Sequence, residues 1–352
     1  MLSWNELIAL AHERGASDVH MVCGMPFLCR VDGRVERLTE EALTREQCEQ
    51  YALELAGEAA AALRETGECD LSQSLACGVR VRGNLFYQQG SVSAAVRLLA
   101  DGIPELTSLG LPPAVLEFAD YRSGIVLVTG ETGSGKSTTL AALLDRINHT
   151  RAAHILTLED PIEYVYTPDR CLINQRQIGS DTRSYASGLR AALREDPDVL
   201  LIGELRDLDT IETALTAAET GHLVFATLHT NSAADSIDRM LSVFPEGRQR
   251  QARLQISTTL RAVLSQQLLP RRGGRGRALA CEVMVVSPAI RNLIREGKTP
   301  QIDSFITMNA QGGSIPMDSA LQKLVQSGAI TQDTARSYAR DREHFPEQPH
   351  WG

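Results

Sequence analysis

Gly130-Glu131-Thr132-Gly133-Ser134-Gly135-Lys136-Ser137 follows an apolar run at 125–128 and precedes a stretch, 136–149, with helical spacing of Leu and Ala. The octet fits G-x-x-x-x-G-K-[ST] in the strand–loop–helix context that this pattern requires. Its residue types suit phosphate chemistry. Glycines at 130, 133 and 135 let backbone N–H groups curl round a phosphate without Cβ clashes. A helix starting at Lys136 points its positive end at the same anion. Lys136 brings a compact charge to the β- and γ-oxygens, and the Ser137 hydroxyl is suited to ligate Mg²⁺ beside them. With Thr132, Ser134 and Thr138 these residues form the expected site for ATP.

The surrounding pattern alternates strand and helix. Apolar runs at 155–158, 199–202 and 223–228 alternate with helical stretches at 184–194 and 208–219. Such alternation predicts an α/β fold, a mainly parallel sheet with helices on its faces. Carboxylates follow two of these strands: Glu159, Asp160 and Glu163 after the first, Glu204 after the second. In a parallel sheet those strand ends line the ligand crevice. Phosphoryl transfer needs one carboxylate near Mg²⁺ and its waters, and another to orient or deprotonate the attacking water. Glu204 is expected on the metal side, through water, and Glu163 at the attacking water. Asp198 precedes its strand and reads as a turn residue. His222 and His229 bracket the 223–228 strand and are candidates for sensing the γ-phosphate; no third ligand stands at zinc spacing.

The N-terminal hundred residues read differently. A helical period at 2–14, stopped by Gly15, precedes short strands at 18–22, 27–31 and 35–38, with Asp32-Gly33 as a hairpin turn. One helix is expected over 43–63, then strands at 78–87 and 92–99. This is an α+β domain with an antiparallel sheet. Residues 101–113 contain three prolines and two glycines, a linker composition. The expected organisation is therefore an N-terminal domain 1–100, a linker 101–113, an ATPase core 114–286 and a helical C-terminal part 287–352. In that last part Ser287-Pro288 and Thr299-Pro300 read as N-cap plus first-turn proline, and Thr331 as the cap of a helix over 332–342. The polar tail after 345 is expected to fray.

Composition limits the alternatives. With 43% hydrophobic and 22% charged residues the chain is of ordinary globular type. A net charge of −9 disfavours a dedicated nucleic-acid binder. No apolar run approaches the ~20 residues that span a bilayer, and the first residues lack a signal peptide's basic start. Seven cysteines without a Cys-x-x-Cys pair argue against a disulfide framework or zinc ribbon. A cytoplasmic protein with free thiols is expected. Of its 35 basic residues only three are lysines: Lys136, Lys298 and Lys323. Arg82 and Arg97 stand on N-terminal strands, either as exposed strand residues or as arginine fingers lending charge to a transition state. Arg271, Arg272, Arg275 and Arg277 read by default as a solvated, hairpin-like basic turn, with a phosphate or anionic-lipid contact as the alternative.

Read in order, ASDVH at 16–20, RVRGN at 80–84, the loop 130–137, LEDPIEY at 158–164, LLIGELRD at 200–207 and GHLVFATLHT at 221–230 resemble the motif set of the secretion and type IV pilus motor ATPases. AIRNLIRE at 289–296 resembles the element of the retraction, or twitching-motility, branch. The resemblance covers nearly the whole chain. It implies a homohexamer whose subunits join a PAS-like N-terminal domain to a RecA-like P-loop domain with a trailing helical subdomain. ATP would lie between the domains, with Arg82 and Arg97 reaching in. Glu163 would be the general base, Glu204 would support Mg²⁺ and water, and His222 and His229 would occupy the family's His-box positions. The motor would act at the inner face of the plasma membrane through an inner-membrane pilus platform protein, pulling pilins back into the membrane. A pilus-assembly or type II secretion ATPase is the alternative; a RecA-like nucleic-acid motor is disfavoured by the charge. Glu131 departs from the family, standing where proline is common.

Overall fold

The chain folds into two units, Met1–Gly102 with Pro161–Val165, and Ile103–Asp160 with Tyr166–Gly352. The computed structural model describes residues 2–346 apart from 32, 58–59, 100–101, 275 and 309–311.

The first unit opens with helix α1 (Trp4–Glu13), where Ser3 and Glu6 exchange side-chain and backbone hydrogen bonds in a capping box. Gly15, at φ 69°, ends it. There follow β1 (Ala16–Met21), β2 (Leu28–Val31), β3 (Arg34–Arg37), α2 (Arg45–Ala56), α3 (Ala60–Thr66), β4 (Glu68–Ser74), β5 (Arg80–Gln88) and β6 (Ser91–Leu98). The six strands form one antiparallel sheet in the order β3-β2-β1-β6-β5-β4. Period-two alternation buries Val81, Gly83 and Leu85 of β5 and leaves Arg80, Arg82 and Asn84 on the other face. Gly57, at φ 52°, closes α2, so the single helix expected over 43–63 is two. Of the expected turn at Asp32-Gly33, Asp32 lies outside the described residues; Gly33 has φ 81° between the paired strands β2 and β3.

Trp4 anchors this unit's core. Its ring meets Phe27 and Tyr51 edge-on, with centroids 5.5 and 6.0 Å away, and its Nε1 donates to the Tyr51 carbonyl at 2.8 Å. Trp4→Ala removes these contacts at a site only 1% exposed. The expected loss is about 3–5 kcal/mol from the unfolding free energy, measured by chemical denaturation.

The second unit contains α4 (Pro113–Leu116), β7 (Gly124–Thr129), α5 (Lys136–Thr150), β8 (His154–Glu159), β9 (Leu172–Gln177), α6 (Tyr185–Ala192), β10 (Val199–Ile202), α7 (Leu208–Glu219), β11 (Leu223–Leu228), α8 (Ala233–Ser242), α9 (Glu246–Thr259), β12 (Leu260–Pro270) and β13 (Arg277–Val285). Four helices follow: α10 (Pro288–Glu296), α11 (Ile302–Met308), α12 (Met317–Gln326) and α13 (Gln332–Tyr338). The seven strands lie in the order β13-β12-β7-β11-β10-β8-β9. All pairings are parallel except β12 with β13. Every residue of β7, β10 and β11 is buried, as strands covered on both faces require. Because β7, β8, β10 and β11 run the same way, the segments that follow them share one edge of the sheet.

Ser287 and Thr331 cap α10 and α13 as expected. Thr299 does not cap a helix: it lies inside a 3₁₀ turn, and its hydroxyl donates to Asp238 at 3.0 Å. The helix expected over 332–342 stops at Tyr338, and a separate 3₁₀ turn spans Arg342–His344. Of the expected frayed tail, 346–352, all but Pro346 lies outside the described residues.

Candidate nucleotide site

The loop between β7 and α5 is shaped by its glycines. A Cβ on Gly130 would stand 2.4 Å from the Gln266 carbonyl oxygen and 2.6 Å from Ser134 Oγ, and the residue sits at φ 141°. No other residue type fits there without moving backbone. Gly135, at φ 93°, is the N-cap of α5, and no side chain caps that helix start. Its first N–H groups are therefore directed to the loop's concave side, where the helix dipole favours an anion. Lys136 Nζ donates to the carbonyls of Gly130 at 2.7 Å and Glu131 at 2.9 Å. Ser134 Oγ is buried without a hydrogen-bond partner among the described residues. A glycine cradle, an uncapped helix start, a lysine folded across the loop and a buried unpaired hydroxyl all fit a nucleotide phosphate. Ser137 lies in the first turn of α5, next to Lys136.

β12 backs this loop. Gln266 Nε2 donates to Thr139 Oγ1 at 2.9 Å, and Thr129 Oγ1 donates to Ser265 Oγ at 2.9 Å. A cavity of about 450 Å³ opens beside the loop, lined by Gly135, Thr138, Gln266, Leu268, Arg271 and Arg277 among others. Arg277 Nη1 donates to the Gly133 carbonyl at 3.3 Å, and Arg271 Nε donates to the Arg277 carbonyl at 3.0 Å. The basic turn, expected by default to be solvated, thus sends Arg277 to the phosphate loop, with Arg271 bracing it from within the turn. Arg275 lies outside the described residues.

Glu204 stands two residues past the end of β10. Its Oε2 accepts from Arg206 Nε at 2.6 Å and lies 3.6 Å from His229 Nε2. The turn that carries it is tied to β11: Thr227 Oγ1 donates to the Gly203 carbonyl, and Leu205 N–H donates to the Thr227 carbonyl at 3.1 Å. Gly203 lets the Tyr185 hydroxyl approach closely, since a Cβ there would come within 2.7 Å of it. Burial, aided by the Asp160 charge, pushes the Tyr185 phenol well above its usual range. The Glu204 hydrogen bond and charge raise the Arg206 guanidinium further. Glu159 turns to β9 instead, accepting from Thr157 at 2.7 Å and Gln175 at 3.3 Å.

The candidate residues do not all meet. Lys136, Ser137 and the rest of the loop form one group, and Glu204 with His229 a second at the same sheet edge. His222 does not join them. It precedes β11, so seven residue steps at ~3.3 Å each set it roughly 23 Å from His229. There its Nδ1 contacts the Ala217 carbonyl at 2.9 Å. Glu163, Arg82 and Arg97 belong to the first unit. Arg82 and Arg97 are direct cross-strand partners on β5 and β6, flanked in the same row by Ser72 and Asp18. Arg97 Nε bonds Asp18 Oδ1 at 3.0 Å. In the segment Pro161–Val165, Ile162 accepts from Arg80 Nε at 2.8 Å. Sequence reasoning missed Arg206 and Tyr185, and offered Arg277 at the phosphates only as the alternative to a solvated turn. Arg206 alone had a local signal, two residues past Glu204.

Comparison with known proteins places this geometry. The family described as Type II/IV secretion system protein matches residues 92–336. The type IV pilus retraction ATPase PilT of Pseudomonas aeruginosa is 44% identical over 341 residues, 97% of this chain and 99% of that one. A twitching motility protein of Neisseria gonorrhoeae is 48% identical over 276 residues, 78% of this chain and 74% of that one. A crystal structure of the pilus retraction motor PilT with bound ADP has a TM-score of 0.92 at 46% identity, covering 97% of this chain and 98% of that one. The ATPase DotB of Legionella pneumophila has a TM-score of 0.82 at 27% identity, with 95% and 94% covered. With its phosphate loop inside the matched stretch and nearly its whole length shared with PilT, the chain belongs to the type II/IV secretion system protein family, the motor ATPases that its motifs resemble.

Proposed function

We propose that the chain is a Mg²⁺-dependent ATPase that works as a homohexamer and converts hydrolysis into domain motion for type IV pilus retraction. The observation that carries this reading is the glycine cradle closed by Lys136 Nζ at 2.7 Å from the Gly130 carbonyl, in a chain 44% identical to a pilus retraction ATPase. Bound Mg-ATP supplies the phosphoanhydride whose cleavage drives the motor. Lys136 and the α5 amides bind the phosphates, and Ser137 is the metal-side hydroxyl. Glu204 orients the metal's waters, and His229 reports on Glu204. Glu163 accepts the proton of the attacking water. Arg82 and Arg97 lend positive charge to the transition state.

Among the described residues no helix is long and apolar enough to cross a membrane. We infer that membrane work goes through a partner, an inner-membrane pilus platform protein reached from the cytoplasm. The test is gene deletion with complementation by the wild type and by Lys136→Ala, scoring surface pili and twitching together. The expected outcome is cells that keep pili but do not twitch, rescued by the wild type alone. Loss of surface pili on deletion would instead point to assembly.

A further inference from the structure

Glu282 on β13 is 1% exposed. Its Oε1 accepts the backbone N–H of Ala233, the first residue of α8, at 2.9 Å. Its Oε2 meets Arg340 Nη2 at 2.6 Å. The same Nη2 donates to the Asn231 carbonyl at 3.4 Å, and Nη1 bonds Asp303 of α11 at 2.9 Å. Arg340 is itself seated from behind, because its backbone N–H and that of Asp341 donate to the two carboxylate oxygens of Asp318 on α12, at 2.9 and 3.0 Å. One guanidinium just past α13 thus gathers acceptors from the loop after β11, from β13 and from α11. Only a planar fork can do this; a lysine is a single point charge.

The loop it holds is short. Residues 229–232 join β11 to α8, and His229 is its first residue. Thr230 Oγ1 pairs with Ser236 Oγ at 2.7 Å, and Ser232 caps α8. Between these two points the Asn231 carbonyl is held by Arg340. Buried ion pairs are often replaceable by apolar residues without loss of stability, so this one is poorly explained by stability alone.

We propose that Arg340 is a positioning residue: it fixes the 229–232 loop, and so the approach of His229 to Glu204, linking the seating of the C-terminal helices to the hydrolytic site. The proposal rests on the reading of Glu204 and His229 as working groups. It is tested in the full chain by steady-state ATPase kinetics of Arg340→Lys, His229→Gln, their double variant and Glu204→Gln. Arg340→Lys keeps the charge beside Glu282 but loses the fork. Its kcat is expected to fall about tenfold, the scale of a misplaced site group, with KM for ATP nearly unchanged. The double variant is expected to be no slower than His229→Gln alone. Multiplying losses, or a wild-type kcat in Arg340→Lys, overturn the proposal while leaving the site reading intact. A full rate in Glu204→Gln overturns both. Should Arg340→Lys fail to fold, Arg340→Met with Glu282→Gln, which removes both charges and keeps an acceptor for the Ala233 N–H, replaces it with the same expected and overturning results.

Discussion

Lys136→Ala is expected to abolish ATP turnover, a loss of roughly a thousandfold or more, comparable to removing a key charge from a phosphoryl-transfer site. The Nζ lies within 2.9 Å of two loop carbonyls, so the side chain already spans the cradle that would hold the phosphates. No other lysine can stand in, since Lys298 pairs with Glu296 and Lys323 lies on α12. Arg277 reaches the loop at the Gly133 carbonyl, but as a fork fixed on the β13 side. Lys136→Arg should therefore fail nearly as badly, because the glycine-lined loop accepts a point charge and not a planar group. Phosphate release at saturating ATP gives the rate. Calorimetric titration with ADP separates lost binding from lost chemistry. Turnover of the alanine variant within tenfold of wild type would sink the assignment of this loop as the catalytic phosphate site.

Glu204→Gln should lower kcat by about 10²–10³ and leave ADP affinity within a few-fold. The amide has nearly the shape of the carboxylate and can still accept from Arg206. What is lost is the negative charge that Arg206 meets at 2.6 Å and His229 faces at 3.6 Å. A residue needed only to shape the 203–205 turn would tolerate the change, because that turn is held by Thr227 through backbone groups. A charge needed to orient metal-bound water would not. A fall in kcat with KM unchanged marks an interaction made in the transition state; a rise in KM alone would reassign Glu204 to binding.

What the sequence showed follows from which signals are local. β10, α7 and β11 fall where their apolar patterns place them, because central strands and amphipathic helices write burial into consecutive residues. β4 and β9 were not anticipated. They are edge strands, ECDLSQS and LINQRQ, half solvated and therefore polar. The phosphate loop was legible because its glycines, lysine and helix start are contiguous. Arg277 was not, because its link to Gly133 spans 144 positions and arises only when β13 turns back along β12. Thr299 misled for a similar reason: a distant acceptor, Asp238, outcompeted the local cap. His222 and His229 look equivalent in sequence, yet a parallel sheet has one functional edge and the strand between them separates the two.

The position of β7 in its sheet carries a consequence for how the molecule is made. Its neighbours β11 and β12 are contributed roughly 100 and 135 residues later in the chain. Each pairing closes a long loop before any contact repays the entropy, which makes the step slow. During synthesis the strand that leads into the phosphate loop therefore waits, apolar on both faces, with both edges unpaired until β11 has emerged and one edge still open until residues in the 260s have emerged. Nascent chains stopped before that point should be the aggregation-prone species and the natural clients of chaperones.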